Sequence, residues 1–123
     1  MATQILRLKE LAQKVYKDLG LGYSESIYHN AFQVALRQNN ISYETEKIIP
    51  VFYEGFNVGN VRADIVIKTE PNIVVELKSV AKITSTFKIQ TKMYMKLLNL
   101  EDGLLINFPT NSDDIEFERI FKD

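Results

Sequence analysis

Two apolar segments with almost no polar alternation constrain the fold most. One is IVVELK, at residues 73–78, and the other is GLLINF, at residues 103–108. Strands read as continuous apolar runs when both of their faces are covered, because neither face then meets water. The two segments therefore predict central strands of an α/β fold, with helices packed on both sides of the sheet.

Helical and strand patterns alternate around these two segments. Apolar side chains that recur at helical spacing predict helices over residues 3–19, 25–38 and 85–98. Strands are predicted over residues 41–53, 56–68, 73–78, 103–108 and 114–121. Pro50 places the first strand at a sheet edge or a bulge, and the last strand is predicted to be an edge strand. The element order is ααβββαββ.

Composition narrows the class of protein. The 123 residues, of which 46% are apolar and 25% charged, suit one domain over residues 1–123 with one core. No apolar run reaches the roughly 18 residues of a membrane span, and the first ten residues lack the apolar core of a signal peptide. We therefore expect a cytoplasmic protein that does not associate with membranes.

Charge and cysteine content exclude several kinds of site. The chain has no cysteine, which excludes disulfides, thiolate metal sites and cysteine nucleophiles. Its formal net charge is −1, whereas proteins that bind nucleic acid through charge alone are usually basic. A nucleic-acid role would therefore depend on a local patch or on a metal ion.

Acidic side chains occur inside the predicted hairpin of the second and third strands. If a short turn joins Lys68 to Asn72, Asp64 directly opposes Glu76, with Cβ atoms about 4.5–5.5 Å apart. Lys78 then shares a face with Glu76, since side chains alternate along a strand. This register is inferred from the turn, and a slip of one residue would break it.

Two carboxylates at this distance repel each other and raise one pKa unless a cation lies between them. Isoleucine and valine neighbours predict a rather dry setting, which increases that cost. A divalent cation would remove it, and oxygen ligands favour Mg²⁺ or Mn²⁺ over zinc. The alternative is that Asp64 forms an ion pair with Arg62 or Lys78 at a solvated strand end.

Polar residues also lie on the apolar arcs of two predicted helices. Glu25 opens the second helix on its core side, although an acid there also stabilises the helix dipole. His29, the single histidine, is expected at the rim beside that arc. Gln90 lies within the apolar arc of the third helix, where the alternative is a hydrogen-bonded core glutamine. The opposite arc carries lysines, read as a solvated face or a phosphate-binding ridge: Lys88, Lys92 and Lys96.

Taken together, these residues resemble a known pattern. RAD at 62–64 followed by VVELK at 74–78 resembles the D…ExK signature of the PD-(D/E)xK nuclease superfamily. QTKMY at 90–94 is similar to the Q-x-x-x-Y motif of its RecB-like branch. GYSESIY at 22–28 is similar to G-x-x-E-x-x-Y, which together with GLLINF marks the small GxxExxY family. The resemblance extends from about Val15 to Phe108.

This resemblance implies a restriction-endonuclease-like fold, with an αβββαβ core and a mixed sheet, an extra N-terminal helix and a C-terminal edge strand. Asp64 and Glu76 would bind Mg²⁺ or Mn²⁺, with the Leu77 carbonyl and Glu25 as further ligands. Lys78 would orient or deprotonate the attacking water. The residues expected to brace the site or contact substrate are Gln90, Tyr94, Tyr28 and Ser79.

The chain departs from the family pattern at several positions. Phe87 and Lys88 stand where the family often has a histidine and an acid, and His29 replaces an acid after the motif tyrosine. Tyr16 stands where the first helix often has a histidine. These departures leave Asp64, Glu76 and Lys78 in place.

Three functional hypotheses follow. The first is a Mg²⁺- or Mn²⁺-dependent nuclease that acts on DNA more readily than on RNA. The second is a non-catalytic module that binds nucleic acid or protein on a nuclease-like fold. The third is a structural domain in which the charged side chains form an ion-pair cluster. Because a chain this small leaves little surface to hold DNA, we expect a homodimer or a larger partner protein.

Overall fold

The computed structural model describes residues 2–122. Its helices are α1 (Ala2–Leu19), α2 (Glu25–Gln38) and α3 (Ser85–Leu98). Its strands are β1 (Tyr43–Tyr53), β2 (Phe56–Ile67), β3 (Ile73–Lys78), β4 (Asp102–Asn107) and β5 (Glu116–Phe121). The predicted order is confirmed, and the bounds differ from the prediction by at most two residues. Within the described residues, no helix combines the length and the apolar character needed to cross a membrane.

The five strands form one mixed sheet in the order β1-β2-β3-β4-β5. Strands β3 and β4 are parallel, and the other neighbours are antiparallel. Helix α3 makes the crossover that a parallel pair requires. Both β1, which contains Pro50, and β5 lie at sheet edges, as predicted. The predicted α/β fold class, a restriction-endonuclease-like mixed sheet with helices on its faces, is therefore confirmed.

Each face of the sheet carries its own apolar cluster. Val75 and Leu77 of β3 pack with α1 and α2, whereas Val74 packs with α3. On α2 the buried residues are Tyr28, Phe32 and Leu36. Because side chains of one strand point alternately to the two faces, a strand covered on both sides needs apolar residues at successive positions. This double burial explains the IVVELK pattern.

An aromatic contact joins the start of α2 to the end of β4. The Tyr28 ring stacks on Phe108 with centroids 4.7 Å apart and planes 8° apart, and Tyr16 packs against both rings. The Tyr28 hydroxyl donates a hydrogen bond of 2.6 Å to the Gly20 carbonyl. Gly22 has a φ of 103°, which favours glycine. These contacts fix the loop that precedes α2 and account for the Gly and Tyr of its motif.

Close packing of α3 on β4 leads to a prediction at Gly103. A Cβ atom at this position would lie 2.6 Å from Met95 Sδ and 3.1 Å from Thr91 Cγ2, and both neighbours are buried. Gly103→Ala is therefore expected to lower the free energy of unfolding by roughly 1–3 kcal/mol, through overpacking. Urea denaturation measures the loss.

A double variant separates overpacking from other effects of the Gly103→Ala change. Met95→Ala alone creates a cavity and also destabilises the protein. In Gly103→Ala/Met95→Ala the added methyl fills part of that cavity. The loss in the double variant should therefore be smaller than the sum of the single losses. Additive losses would contradict the proposed clash.

Candidate active site

The β2–β3 hairpin has the predicted register but its strands separate at the two acids. Ile65 pairs with Val75 and Ile67 with Ile73, which brings Asp64 opposite Glu76 as predicted. The backbone pairing stops at the Ile65–Val75 pair. Beyond it, within the described strands, β2 continues to pair with β1 alone and β3 with β4 alone. We call this opening between Asp64 and Glu76 the β2–β3 split.

At the split, each carboxylate accepts a backbone hydrogen bond from the opposite strand. The Asp64 N–H donates to Glu76 Oε2 at 2.8 Å, and the Leu77 N–H donates to Asp64 Oδ2 at 3.0 Å. These two bonds take the place of ladder bonds between the strands. In the described part of the chain, no hydrogen bond reaches Asp64 Oδ1 or Glu76 Oε1. Each carboxylate thus accepts a backbone hydrogen bond with one oxygen and leaves its other oxygen available to a ligand.

An irregularity in the neighbouring strand coincides with the split. The β1–β2 pairing is regular on both sides of Glu46 and Asp64 but omits that pair. Glu46 has a φ of 54°, in the left-handed region. Ala63 and Val66 pack in the same apolar cluster, although residues three apart in a regular strand face opposite sides. The alternation of side chains along β2 is therefore interrupted at Asp64, although the register of β1 and β2 is the same on both sides of it.

Burial and mutual repulsion disfavour the state in which both carboxylates are ionised. Burial, followed by the charge of Asp64, raises the pKa of Glu76 to about 8. Burial also raises the pKa of Asp64. The charge of Lys78 lowers both pKa values, that of His29 lowers the pKa of Asp64, and that of Glu25 raises the pKa of Glu76. The site therefore favours additional positive charge.

Lys78 lies near the acids without pairing with either. Its half-buried ammonium lies 4.9 Å from the centre of the Phe87 ring, a cation–π distance. Among the described residues it makes no direct ion pair with Asp64, and Arg62 contacts Glu46 at 3.8 Å instead. The ion pair that was the alternative reading of this strand end is therefore not formed.

Helix α3 brings two of the predicted residues toward the split. Gln90 Nε2 donates to the Tyr94 hydroxyl at 3.3 Å. Tyr94 is buried, and its pKa is raised by burial and then by the charges of Glu76 and Asp64. The half-buried Gln90 amide is thus hydrogen-bonded on the helix face that approaches the acids, rather than enclosed in the apolar core.

The start of α2 contributes charge rather than a third close carboxylate. Glu25 is exposed in the first turn of the helix. Within residues 2–122 no three acidic, histidine or cysteine side chains gather closely enough to hold one metal ion. Asp64 and Glu76 therefore stand as a pair, which Glu25 influences through its charge. The other two predicted support residues lie in the framework: Tyr28 is buried, and Ser79 Oγ donates to the Phe108 carbonyl at 3.0 Å.

Strand geometry indicates where the Leu77 carbonyl points. In an extended strand the N–H and C=O of one residue point to the same edge. The Leu77 N–H points to Asp64, whereas the Lys78 carbonyl accepts a bond from Phe108 on the β4 side. The Leu77 carbonyl is thereby directed into the β2–β3 split, beside the two carboxylates.

Two features near the site were not predicted as site features from the sequence. His29 Nε2 is buried and has no hydrogen-bond partner in the described part of the chain, and its charge acts on Asp64. The sequence signal that could have identified it is its position on α2, one helical turn after Glu25. The Phe87 ring against Lys78 was not predicted, because the two residues lie in different elements.

The donor atoms at the split suit a hard divalent cation. Two carboxylate oxygens and one carbonyl oxygen are available, and among residues 2–122 no cysteine or histidine completes a cluster with the two acids. Buried carboxylates with raised pKa values gain most from a cation that balances their charge. The residues present therefore fit Mg²⁺ or Mn²⁺ better than zinc.

Comparison with known proteins relates the chain to nucleases. A sequence model of the PD-(D/E)XK nuclease superfamily matches residues 3–120. Among solved structures, the crystal structure of SSO0001 is similar, with a TM-score of 0.64 and 25% sequence identity over 79% of this chain. The match covers 49% of SSO0001, so this chain spans about half of its length. No curated protein matches the chain.

The raised pKa of Glu76 predicts how stability changes with pH. Between the ordinary pKa of 4.5 and the folded value of about 8, the folded protein keeps a proton that the unfolded chain has lost. The free energy of unfolding should therefore fall as pH rises through this window, by at most about 1.4 kcal/mol per pH unit for one proton. Urea denaturation at several pH values tests this.

The Glu76→Gln variant identifies the group responsible. It keeps the acceptor oxygen but cannot ionise, so its stability should fall less steeply than that of the wild type over the same window. Asp64 still titrates in the variant, so a smaller slope remains. Glu10→Gln, on the exposed surface of α1, should leave the slope unchanged. Parallel pH profiles for wild type and Glu76→Gln would show that Glu76 is not the source.

Proposed function

The chain belongs to the PD-(D/E)XK nuclease superfamily, and from this premise we propose that it is a metal-dependent phosphodiesterase that cleaves DNA. The observation that carries the proposal is the Asp64–Glu76 pair: two carboxylates with raised pKa values, each accepting a backbone N–H from the opposite strand, beside the Lys78 ammonium. We take residues 1–123 as one nuclease-like domain. We further assign it to the RecB-like branch and the GxxExxY family, from the motifs at 22–28 and 90–94.

In this proposal the carboxylates of Asp64 and Glu76 would hold Mg²⁺ or Mn²⁺, together with the Leu77 carbonyl. Glu25, which is exposed and lies outside this close pair, would act on the cation through its charge or by holding a water molecule, rather than as the additional direct ligand that the motif implied. When bound, the cation lowers the pKa of a water molecule and offsets negative charge on a phosphate oxygen. The two buried carboxylates supply the charge that balances it.

The remaining residues act through positions that the fold gives them. Lys78 would orient the attacking water or, as the neutral amine, deprotonate it. In its ammonium form it would donate to the phosphate oxygens as their negative charge grows. The Phe87 ring restricts the positions that the Lys78 ammonium can adopt. Tyr94 and Gln90, bonded to each other, brace the carboxylates from α3. This division of roles needs no nucleophile from the protein.

A non-catalytic binding module is the second candidate. It is favoured by the position of Glu25, outside the close carboxylate pair, and by the net charge of −1. The two candidates differ in whether the pair binds a cation at all. A cation that binds only the folded state raises the melting temperature.

Metal binding is tested first, by thermal melting with and without Mn²⁺. Wild type should melt at a higher temperature with Mn²⁺, and the shift should vanish in Asp64→Asn, which keeps an oxygen acceptor for the Leu77 N–H. Asp18→Asn, on the exposed surface of α1, should keep the shift. Wild type that shows no shift would favour the binding module.

Cleavage is tested with plasmid, linear duplex and single-stranded DNA in Mn²⁺ or Mg²⁺. Glu76→Ala and Lys78→Ala should each lower the rate by roughly 10²-fold or more, because each removes charge that stabilises the transition state. Lys96→Ala, an exposed change on α3, should retain the wild-type rate. Equal background activity in all four proteins would remove the nuclease proposal.

The Phe87 ring provides a finer test of the role of Lys78. Phe87→Tyr keeps an aromatic face under the ammonium, whereas Phe87→Leu removes it. A cation–π contact at a partly buried position is worth about 0.5–1 kcal/mol or more, so Phe87→Leu should lower kcat roughly two- to tenfold. Phe87→Tyr should lower it much less. If both variants match wild type, the ring does not position Lys78.

A further inference from the structure

The β1–β2 hairpin extends beyond the rest of the sheet. Strand β3 pairs with β2 only from Ile65 onward, so β2 residues 56–64 have β1 as their one strand neighbour in the described structure. The pairing shifts between Val51 and Phe52, where β2 has one extra residue. We call residues 48–62 the hairpin arm.

The end of the arm is unusually apolar for an exposed surface. Ile48 and Phe52 lie on the face opposite to that of Ile49, which is buried against the α3 cluster. Tyr53 and Phe56 pair with each other beside the turn, on the other face of the hairpin from Phe52, so the end of the arm is apolar on both faces. The exposed apolar side chains of the arm, with their exposed fractions, are Ile48 (60%), Phe52 (62%), Tyr53 (69%), Phe56 (75%) and Val58 (62%). We call these five residues the apolar tip.

Charge on the arm favours a protein partner over nucleic acid. Glu54 and Arg62 are the charged residues among positions 48–62, so the arm is neutral. Surfaces that hold nucleic acid are rich in lysine and arginine, since phosphate contacts supply much of the affinity. Aromatic enrichment with few charges is instead the composition of the centre of a protein interface.

From these features we propose that the apolar tip is the docking surface for a second copy of this chain. A two-fold dimer places the same patch against itself, which a neutral apolar surface permits and a surface of one charge sign opposes. An aromatic side chain presents roughly 150–250 Å², so at exposed fractions of 62–75% the three rings of the tip offer roughly 300–500 Å² per copy. With the two aliphatic residues, a pair of copies whose tips are fully covered buries on the order of 1,000 Å², the lower limit for a biological interface.

The dimer forms through side chains rather than through strand addition. The outer edge of β1 is free, but Pro50 lacks an N–H, and Glu46 has a left-handed conformation. Both features oppose the pairing of a further strand along that edge. The contact therefore involves the face and end of the arm. It does not depend on the proposed nuclease activity, because the tip contains none of the residues assigned to metal or substrate.

Sedimentation velocity over low to several hundred micromolar protein tests the proposal. Wild type should be a dimer that dissociates on dilution, and Phe52→Ser/Phe56→Ser should raise the dissociation constant tenfold or more. Ile89→Ser is the matched control, because Ile89 is 67% exposed but lies on α3; it should not change the constant. Circular dichroism checks that the exposed substitutions leave the fold intact.

Cross-linking adds a positional readout, since the chain has no cysteine of its own. Asn60→Cys, on the arm opposite Pro50, should give covalent dimers with a short bis-maleimide, and Gln13→Cys on α1 should not. Wild type that stays monomeric at several hundred micromolar overturns the proposal, as does equal weakening by the double variant and Ile89→Ser. A monomer whose binding to single-stranded DNA is lost in the double variant overturns it too, and assigns the tip to nucleic acid.

Discussion

The reciprocal hydrogen bonds between Asp64 and the Glu76–Leu77 segment are the interaction on which the site depends. Two antiparallel strands would ordinarily continue their backbone ladder here. Instead each strand gives one N–H to a carboxylate of the other. The strands can separate because these side-chain bonds satisfy backbone groups that would otherwise be buried without partners. The same bonds hold both carboxylates beside each other, which electrostatics alone would oppose.

Holding two carboxylates side by side in a buried place lowers the stability of the fold, and such a loss is typical of functional sites. Burial raises the pKa of both acids, so the folded protein gains nothing from keeping them ionised together. Perturbed acids of this kind occur preferentially at functional sites, where a bound ion or a reaction step compensates the cost. Because the chain belongs to a nuclease superfamily, the divalent cation that we propose is one such compensation.

Much of the fold could be predicted because its signals are local. The turn between Lys68 and Asn72 set the register that places Asp64 opposite Glu76, and continuous apolar runs identified the doubly covered strands. What escaped prediction depends on tertiary structure. The left-handed Glu46 and the end of the β2–β3 ladder follow from how three strands meet, and no pattern within one strand records them. Strand β5 lies at a sheet edge as predicted, but most of its residues are half-buried, because it packs against α3 and the loop after β3.

The stack of Tyr28 on Phe108 restricts where Glu25, the exposed acid at the start of α2, can lie relative to Glu76. Tyr28 lies one helical turn after Glu25, and Phe108 directly follows β4, the strand that runs beside Glu76 and Lys78. The ring contact therefore ties the first turn of α2 to the centre of the sheet. An exposed carboxylate would normally sample many positions relative to a buried one. Here its backbone is anchored by the core, so the negative charge that helps to raise the pKa of Glu76 acts from within the reach of one side chain on a fixed helix end.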